Sequence, residues 1–306
     1  MKKQYLAFFS LLIILAFILF MIYDTINPQK NNTAAVQSDA GPAIPDQWEV
    51  SMELVSSDGP LTSLAVSENG SVYLGGDSYV SGYNQEMKKT WSTITPGKIT
   101  SLSISGDTIF ASTQDMIFLF NTEGKMFEEW GPYEDNSIIT SLSSNKSYLA
   151  FADAGNRMVF VLTKDGRVKS MMGKSGEQFI IPSPYFDLAL DNDNALFISN
   201  PGKRRIETRT IDGDLVKYFG SSGTAPGAFC GCCNPSHFTL VPGGFLTTEK
   251  GINRIKIMDT TGEFGEFVSS DNNFVNSIPL DIATRDGKTI YAANPADSKL
   301  YVFKRK

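Results

Sequence analysis

The chain has 306 residues, and its 42% apolar content, including 21 Phe, points to one large folded domain rather than a disordered one. A net charge of −6 with 20% charged residues gives no electrostatic case for nucleic acid, which wants a basic face, and no such partner is expected.

After Lys2 and Lys3, residues 5–23 ("YLAFFSLLIILAFILFMIY") carry no charge. At ~1.5 Å per helical residue such a run nearly spans a hydrocarbon core of about 30 Å. A cleaved signal peptide would have a shorter apolar run and a small-x-small site after it. Here "DTINPQK" follows, with no such site and no nearby cysteine for lipidation. The expectation is an uncleaved signal-anchor over residues 1–23, a single transmembrane helix. Its lysines lie on the cytoplasmic side, which puts the body outside the cell membrane, periplasmic or extracellular. A cleaved peptide that releases a soluble exported protein is the alternative. Residues 24–46 are rich in Asn, Ala, Pro and Asp without periodicity, and read as a flexible tether.

From residue 47 the chain repeats itself. One phrase returns as "LTSLAV" (61–66), "ITSLSI" (99–104), "ITSLSS" (139–144), "YFDLAL" (185–190), "HFTLVP" (237–242) and "PLDIAT" (279–284). The apolar residues Leu64, Leu102, Leu142, Leu188, Leu240 and Ile282 align. Each phrase leads through a turn to a second strand, among them "GSVYLGG", "SYLAFAD" and "ALFISN". A third strand follows, as in "MIFLFN", "MVFVLT" and "RIKIMD", and then a glycine turn such as "TEGK" or "KDGR". These glycines supply the positive φ of short hairpins. Four short strands in every forty or so residues are the pattern of a β-propeller blade. Six phrases predict an all-β, six-bladed β-propeller over residues 47–306. The sixth blade ends after its third strand, so "QWEVSMEL" (47–54) is expected to pair with residues 299–305 and close the ring, since an open seam leaves backbone groups unpaired.

Residues 170–220 and 218–266 resemble NHL repeats. The family pattern is a Gly-rich approach, a Phe, a Pro, an apolar strand, an Asn, then Arg-Ile opening the third strand and a Gly turn; "GNRMVFVLTKDG" (155–166) and "INRIKIMDTTG" (252–262) fit its latter part well. The resemblance covers about the middle half of the chain and implies the propeller fold. It says little about function, because propellers host many. Lyases of the NHL type hold a channel metal with several histidines; the single histidine here argues against that activity.

That histidine and every cysteine fall in "AFCGCCNPSHF" (228–238): Cys230, Cys232, Cys233 and His237. The stretch belongs to an insertion that leads into the innermost strand of blade five, which puts it at the channel mouth. Three chemistries fit. First is a Cys₃His metal site for zinc, copper or an iron–sulfur centre. Second is a disulfide that only pins the loop. Third is redox exchange through Cys230 and Cys233 in C-x-x-C spacing, which leaves Cys232 over. Covalent c-type haem is excluded, because Asn234 stands where histidine is required. The insertion itself looks dispensable for closing the ring.

Just before each aligned apolar residue stand Ser63, Ser101, Ser141, Asp187, Thr239 and Asp281. Asp187 and Asp281 suit calcium, but small polar residues lining a wet channel explain them equally well. Arg157, Lys203, Arg204, Arg205 and Arg254 could bind an anion, but arginine at this point belongs to the repeat itself. No catalytic residue is assigned. The reading is a membrane-tethered, metal- or redox-linked binding propeller with a protein or small-molecule partner on its top face. The alternative is a non-catalytic scaffold.

Overall fold

The computed structural model describes residues 12–19, 44–173, 178–270, 274–275 and 278–306. The chain divides into two compact units, Met1–Ile44 and Pro45–Lys306. Of the expected anchor over residues 5–23, only 12–19 are described, and they are helical and exposed. Among the described residues no helix is long and apolar enough to cross a membrane. The rest of that expected helix, and the tether up to residue 43, lie outside the described residues.

Pro45–Lys306 forms six four-stranded antiparallel sheets, arranged as a six-bladed propeller. Blades one to five each take four consecutive strands; blade three, for example, runs Ile139–Ser144, Tyr148–Asp153, Met158–Thr163 and Val168–Met172. The second and third strands are packed on both faces. That is why they read as unbroken apolar runs, as in Met158–Thr163, where only the last residue is not buried. The outermost strands have one open side and carry charge there, as in Met126–Trp130, "MFEEW", with four exposed residues.

Blade six closes as the sequence predicts. Trp48–Val55 pairs antiparallel with Lys299–Arg305, from Trp48 opposite Arg305 to Val55 opposite Lys299. The first strand of the body is therefore the outermost strand of the last blade.

The core is divided among the blade interfaces. Phe110, Leu119 and Trp130 of blade two meet Leu142, Phe151 and Phe160 of blade three, with the Phe151 and Phe160 rings stacked 4.6 Å apart. Leu64 and Leu74 of blade one meet Leu300 and Val302 of blade six, so the seam is as apolar as any other interface. No blade buries its faces alone, and stability comes from contact between neighbours.

Candidate functional site

Innermost strands leave one row of backbone N–H groups facing the channel, which is the edge of each sheet. Side chains of the adjacent blade satisfy several of them. Leu142 N donates to Ser101 Oγ (2.9 Å), Leu188 N to Ser141 Oγ (3.2 Å), Phe238 N to Asp187 Oδ2 (2.7 Å) and Leu64 N to Asp281 Oδ2 (2.9 Å). This ring of residues thus ties four of the six blade junctions. Ser63 belongs to the same ring, but its buried Oγ has no hydrogen-bond partner among the described residues.

Blade five departs from the sequence reading. His237, not Thr239, occupies the ring position. His237 lies opposite Thr248, just as Asp281 lies opposite Ala293 and Ser101 opposite Ser112. In the repeat, Phe238 rather than Leu240 therefore matches Leu64 and Leu102, two residues earlier than the phrase suggests. The first strand of this blade has polar and apolar residues at both candidate positions, so the pairing with Gly244–Thr248 decides. The second strands carried the signal: "FLTT" set against "LFIS" places Thr248 beside Ser199.

Asp187, His237 and Asp281 consequently face one another in a channel cavity of about 150 Å³. His237 Nδ1 lies 3.6 Å from Asp187 Oδ2 and 3.9 Å from Asp281 Oδ1. Burial disfavours the imidazolium, but the hydrogen bond and charge of Asp187, with the charge of Asp281, outweigh it and raise the His237 pKa above 6.5. Burial also raises Asp281 to about 6, against the pull of His237. Because folding raises the imidazole pKa, His237 contributes stability that is complete below about pH 6.5 and is lost as pH rises through its folded value. The chain's one histidine gives a single imidazole signal in an NMR titration. We expect its midpoint above 6.5, and a downward shift in Asp187→Asn. A wild-type midpoint at or below 6.5 would show that the carboxylates do not govern the ring.

The insertion before His237 is built into the fold rather than dispensable. Phe229 is fully buried in the cluster between blades four and five, with Phe238, Phe245 and Met258. Two buried cations hold the loop's carbonyls. Arg254 donates to Thr224 O (2.8 Å), Ala225 O (2.9 Å) and Ala228 O (2.8 Å). Lys256 Nζ donates to Pro226 O (2.8 Å) and Ala228 O (2.6 Å), and lies 4.6 Å from the centre of the Phe229 ring. Glu249 balances both cations and accepts the Cys230 N–H at 2.9 Å. Burial, with the nearby Arg254 adding to it, pulls the Lys256 amine down to about 8, although Glu249 resists. Blade four has a matching device in Glu207, fully buried between Arg205 and Arg209 and bonded to Asn200. Arg205 and Arg254 thus belong to the repeat, in keeping with the structural reading. Sequence reasoning missed Lys256, because "RIKIMD" alternates like a strand with its lysine in water.

The four residues of the predicted Cys₃His set have separate partners. Cys230 is buried, with Sγ 3.7 Å from Lys250 O and 3.3 Å from Asn234 Nδ2. Cys232 is exposed and Cys233 half-buried, and their sulfurs stand 3.1 Å apart. His237 Nδ1 faces the two carboxylates. Among the described residues no group of three or more His, Cys, Asp or Glu is placed to hold a metal ion. Oδ2 of Asp187 and of Asp281 each accepts an N–H of a neighbouring blade, and Oδ1 of each accepts the N–H of the next residue in its own strand. Arg204 reaches the loop from blade four and donates from Nε to Gly231 O at 2.7 Å.

No family model matches the chain, and no curated protein matches it in sequence. Solved structures do match, and they define a class: the protein is a six-bladed β-propeller. A catalytically inactive virginiamycin B lyase from Staphylococcus aureus, solved with quinupristin, superposes with a TM-score of 0.60 at 17% identity, over 85% of this chain and 100% of that one. A streptogramin B lyase gives 0.59 at 16% identity, over 85% and 98%. A WD40 domain from Neurospora crassa gives 0.58 at 11% identity, over 86% and 98%. Lyases and a WD40 domain fit about equally well, so the likeness is one of fold alone.

Proposed function

We propose that this protein is a membrane-tethered propeller on the extracytoplasmic side, which binds a partner on its top face and performs no catalysis. One observation carries the non-catalytic reading. Asp187 and Asp281, the carboxylates of the channel, are spent as struts between blades, and the imidazole is held against them. A general base needs a free lone pair within reach of a substrate, and Oδ2 of each carboxylate is committed to a backbone N–H of the next blade. The tether rests on the apolar run at 5–23 behind Lys2 and Lys3.

The top face carries the loops that lead into innermost strands, including the cysteine loop. Beside Pro96, Met116 and Ile138 it offers an open groove of about 560 Å³. The metal-linked reading of Cys230, Cys232, Cys233 and His237 is less well supported, because Nδ1 of His237 faces two carboxylates and Cys230 faces Asn234 and Lys250.

The test uses the full chain in its own cells. External protease should digest the body in intact cells or spheroplasts. A photo-crosslinker at exposed Ile138, on the top face, should capture a partner, whereas one at Lys146, on the opposite face, should not. A body shielded from protease defeats the topology. Capture at Lys146 alone, or at neither position, defeats the top-face site.

A further inference from the structure

Adjacent residues of an extended chain point to opposite sides, so neighbouring cysteines ordinarily keep their sulfurs apart. Here the backbone turns at Gly231, whose φ of +63° suits a residue without a side chain. The turn is held from inside. The buried Asn234 donates from Nδ2 to Cys230 O and to Lys250 O, both at 2.8 Å, and its Oδ1 accepts the Lys250 N–H at 2.7 Å. Arg204 holds Gly231 O from the neighbouring blade. The result brings the Cys232 and Cys233 sulfurs to 3.1 Å, with Cys232 in solvent and Cys233 behind it. Cys230 is buried and faces the opposite partners, Lys250 O and Asn234.

We propose that Cys232 and Cys233 form a vicinal dithiol that exchanges with a small anionic disulfide from solution. The pair differs from the Cys230–Cys233 pairing that C-x-x-C spacing suggests. The Cys232 thiolate attacks one sulfur of the substrate disulfide and forms a mixed disulfide, and the first half leaves as a thiolate. The Cys233 thiolate then attacks Sγ of Cys232 and expels the second half. Two thiols of the protein are oxidised to one disulfide, the substrate disulfide is reduced to two thiols, and the two protons lost by the cysteines end on the released thiols or in solvent. Charge favours an anionic substrate. Arg204 borders the loop, and the ammonium of Lys250, 4.7 Å from the Tyr185 ring centre, favours the Cys232 thiolate. The Cys233 thiol opposes this by sharing a proton with Cys232 and holding its pKa above the ordinary thiol value. Exchange should therefore speed up as pH rises.

The reduced full chain is incubated with glutathione disulfide, the free thiols are alkylated, and the peptides are mapped. The expected product is a Cys232–Cys233 disulfide, with Cys230 alkylated only after unfolding. Cys233→Ser should stop at a glutathione adduct on Cys232, and Cys230→Ser should still form the vicinal disulfide. Cystamine, a cationic disulfide, should react at least several-fold more slowly. The idea is overturned by a Cys230–Cys233 disulfide, by three thiols that stay free under excess glutathione disulfide, or by cystamine reacting as fast as the anionic probe. None of these readouts involves a top-face partner, so the outcome is independent of the proposed binding role.

Discussion

A protein lacking residues 45–56 is expected to lose its cooperative thermal transition. Trp48 is 3% exposed and packs against Leu246, Ile255 and Val268 of blade five and against Leu280, Ile290 and Phe303 of blade six. Its indole Nε1 donates to Glu266 Oε1 at 2.9 Å. Behind it, the strand to Val55 pairs along Lys299–Arg305, and Gln47 N reaches Phe267 O of blade five at 3.2 Å. Replacing Trp48 by Ala alone should cost about 3–5 kcal/mol, the usual range for emptying a large aromatic site. For a body of this size that corresponds to a fall in Tm on the order of 10 °C. The deletion removes the same anchor and also leaves the backbone of Lys299–Arg305 unpaired at the ring seam, so its effect must be larger. Near-ultraviolet circular dichroism during a thermal melt reads both. A deletion variant that melts within a few degrees of the wild type would show that the ring does not depend on this strand.

Glu249→Ala is the second large effect. The substitution strands Arg254 and Lys256 inside blade five without their carboxylate and takes the acceptor from Cys230 N. Breaking a buried ion pair by removing one partner costs about 3–5 kcal/mol, because a buried charge is left uncompensated. The loss should depend on pH. In the native protein Lys256 already titrates near about 8, below the ordinary 10.5, so its burial penalty is complete below pH 8 and is relieved as pH rises toward 10.5. Without Glu249 the amine loses its proton more readily still. Urea unfolding should therefore show a larger deficit for the variant at pH 6 than at pH 9. The cysteine loop should also loosen, and Cys230 should alkylate faster in the variant. A cost below about 1 kcal/mol at neutral pH, the level of an exposed pair, would show that the network does not hold the loop.

These two sites differ in how they could be found from the sequence. The closing strand was legible because a missing fourth strand in blade six and a spare strand before blade one are both visible as patterns. The Glu249 network was not, since "TTEK" and "RIKIMD" look like ordinary strand ends until they fold over the carbonyls of residues 224–228. Asp187 and Asp281 were legible as channel residues. The position of His237 was not legible in its own strand, because two registers of "SHFTLVP" fit the repeat there; only the second strand, Gly244–Thr248, separates them, through its match to "LFIS" and its pairing with the first.

The amino-acid sequence by itself determined the strands, their hairpins, the number of blades and the closure of the ring. Each of these depends on local signals: unbroken apolar runs, glycine turns and a recurring phrase. The tertiary structure decided the rest. It placed the only histidine between two aspartates from neighbouring blades, buried a lysine under an inserted loop, and set Cys232 rather than Cys230 beside Cys233. Those contacts join residues far apart in the chain, or depend on a turn held by a distant side chain. Their energies come from desolvation and hydrogen bonding, which exist only once the blades have met.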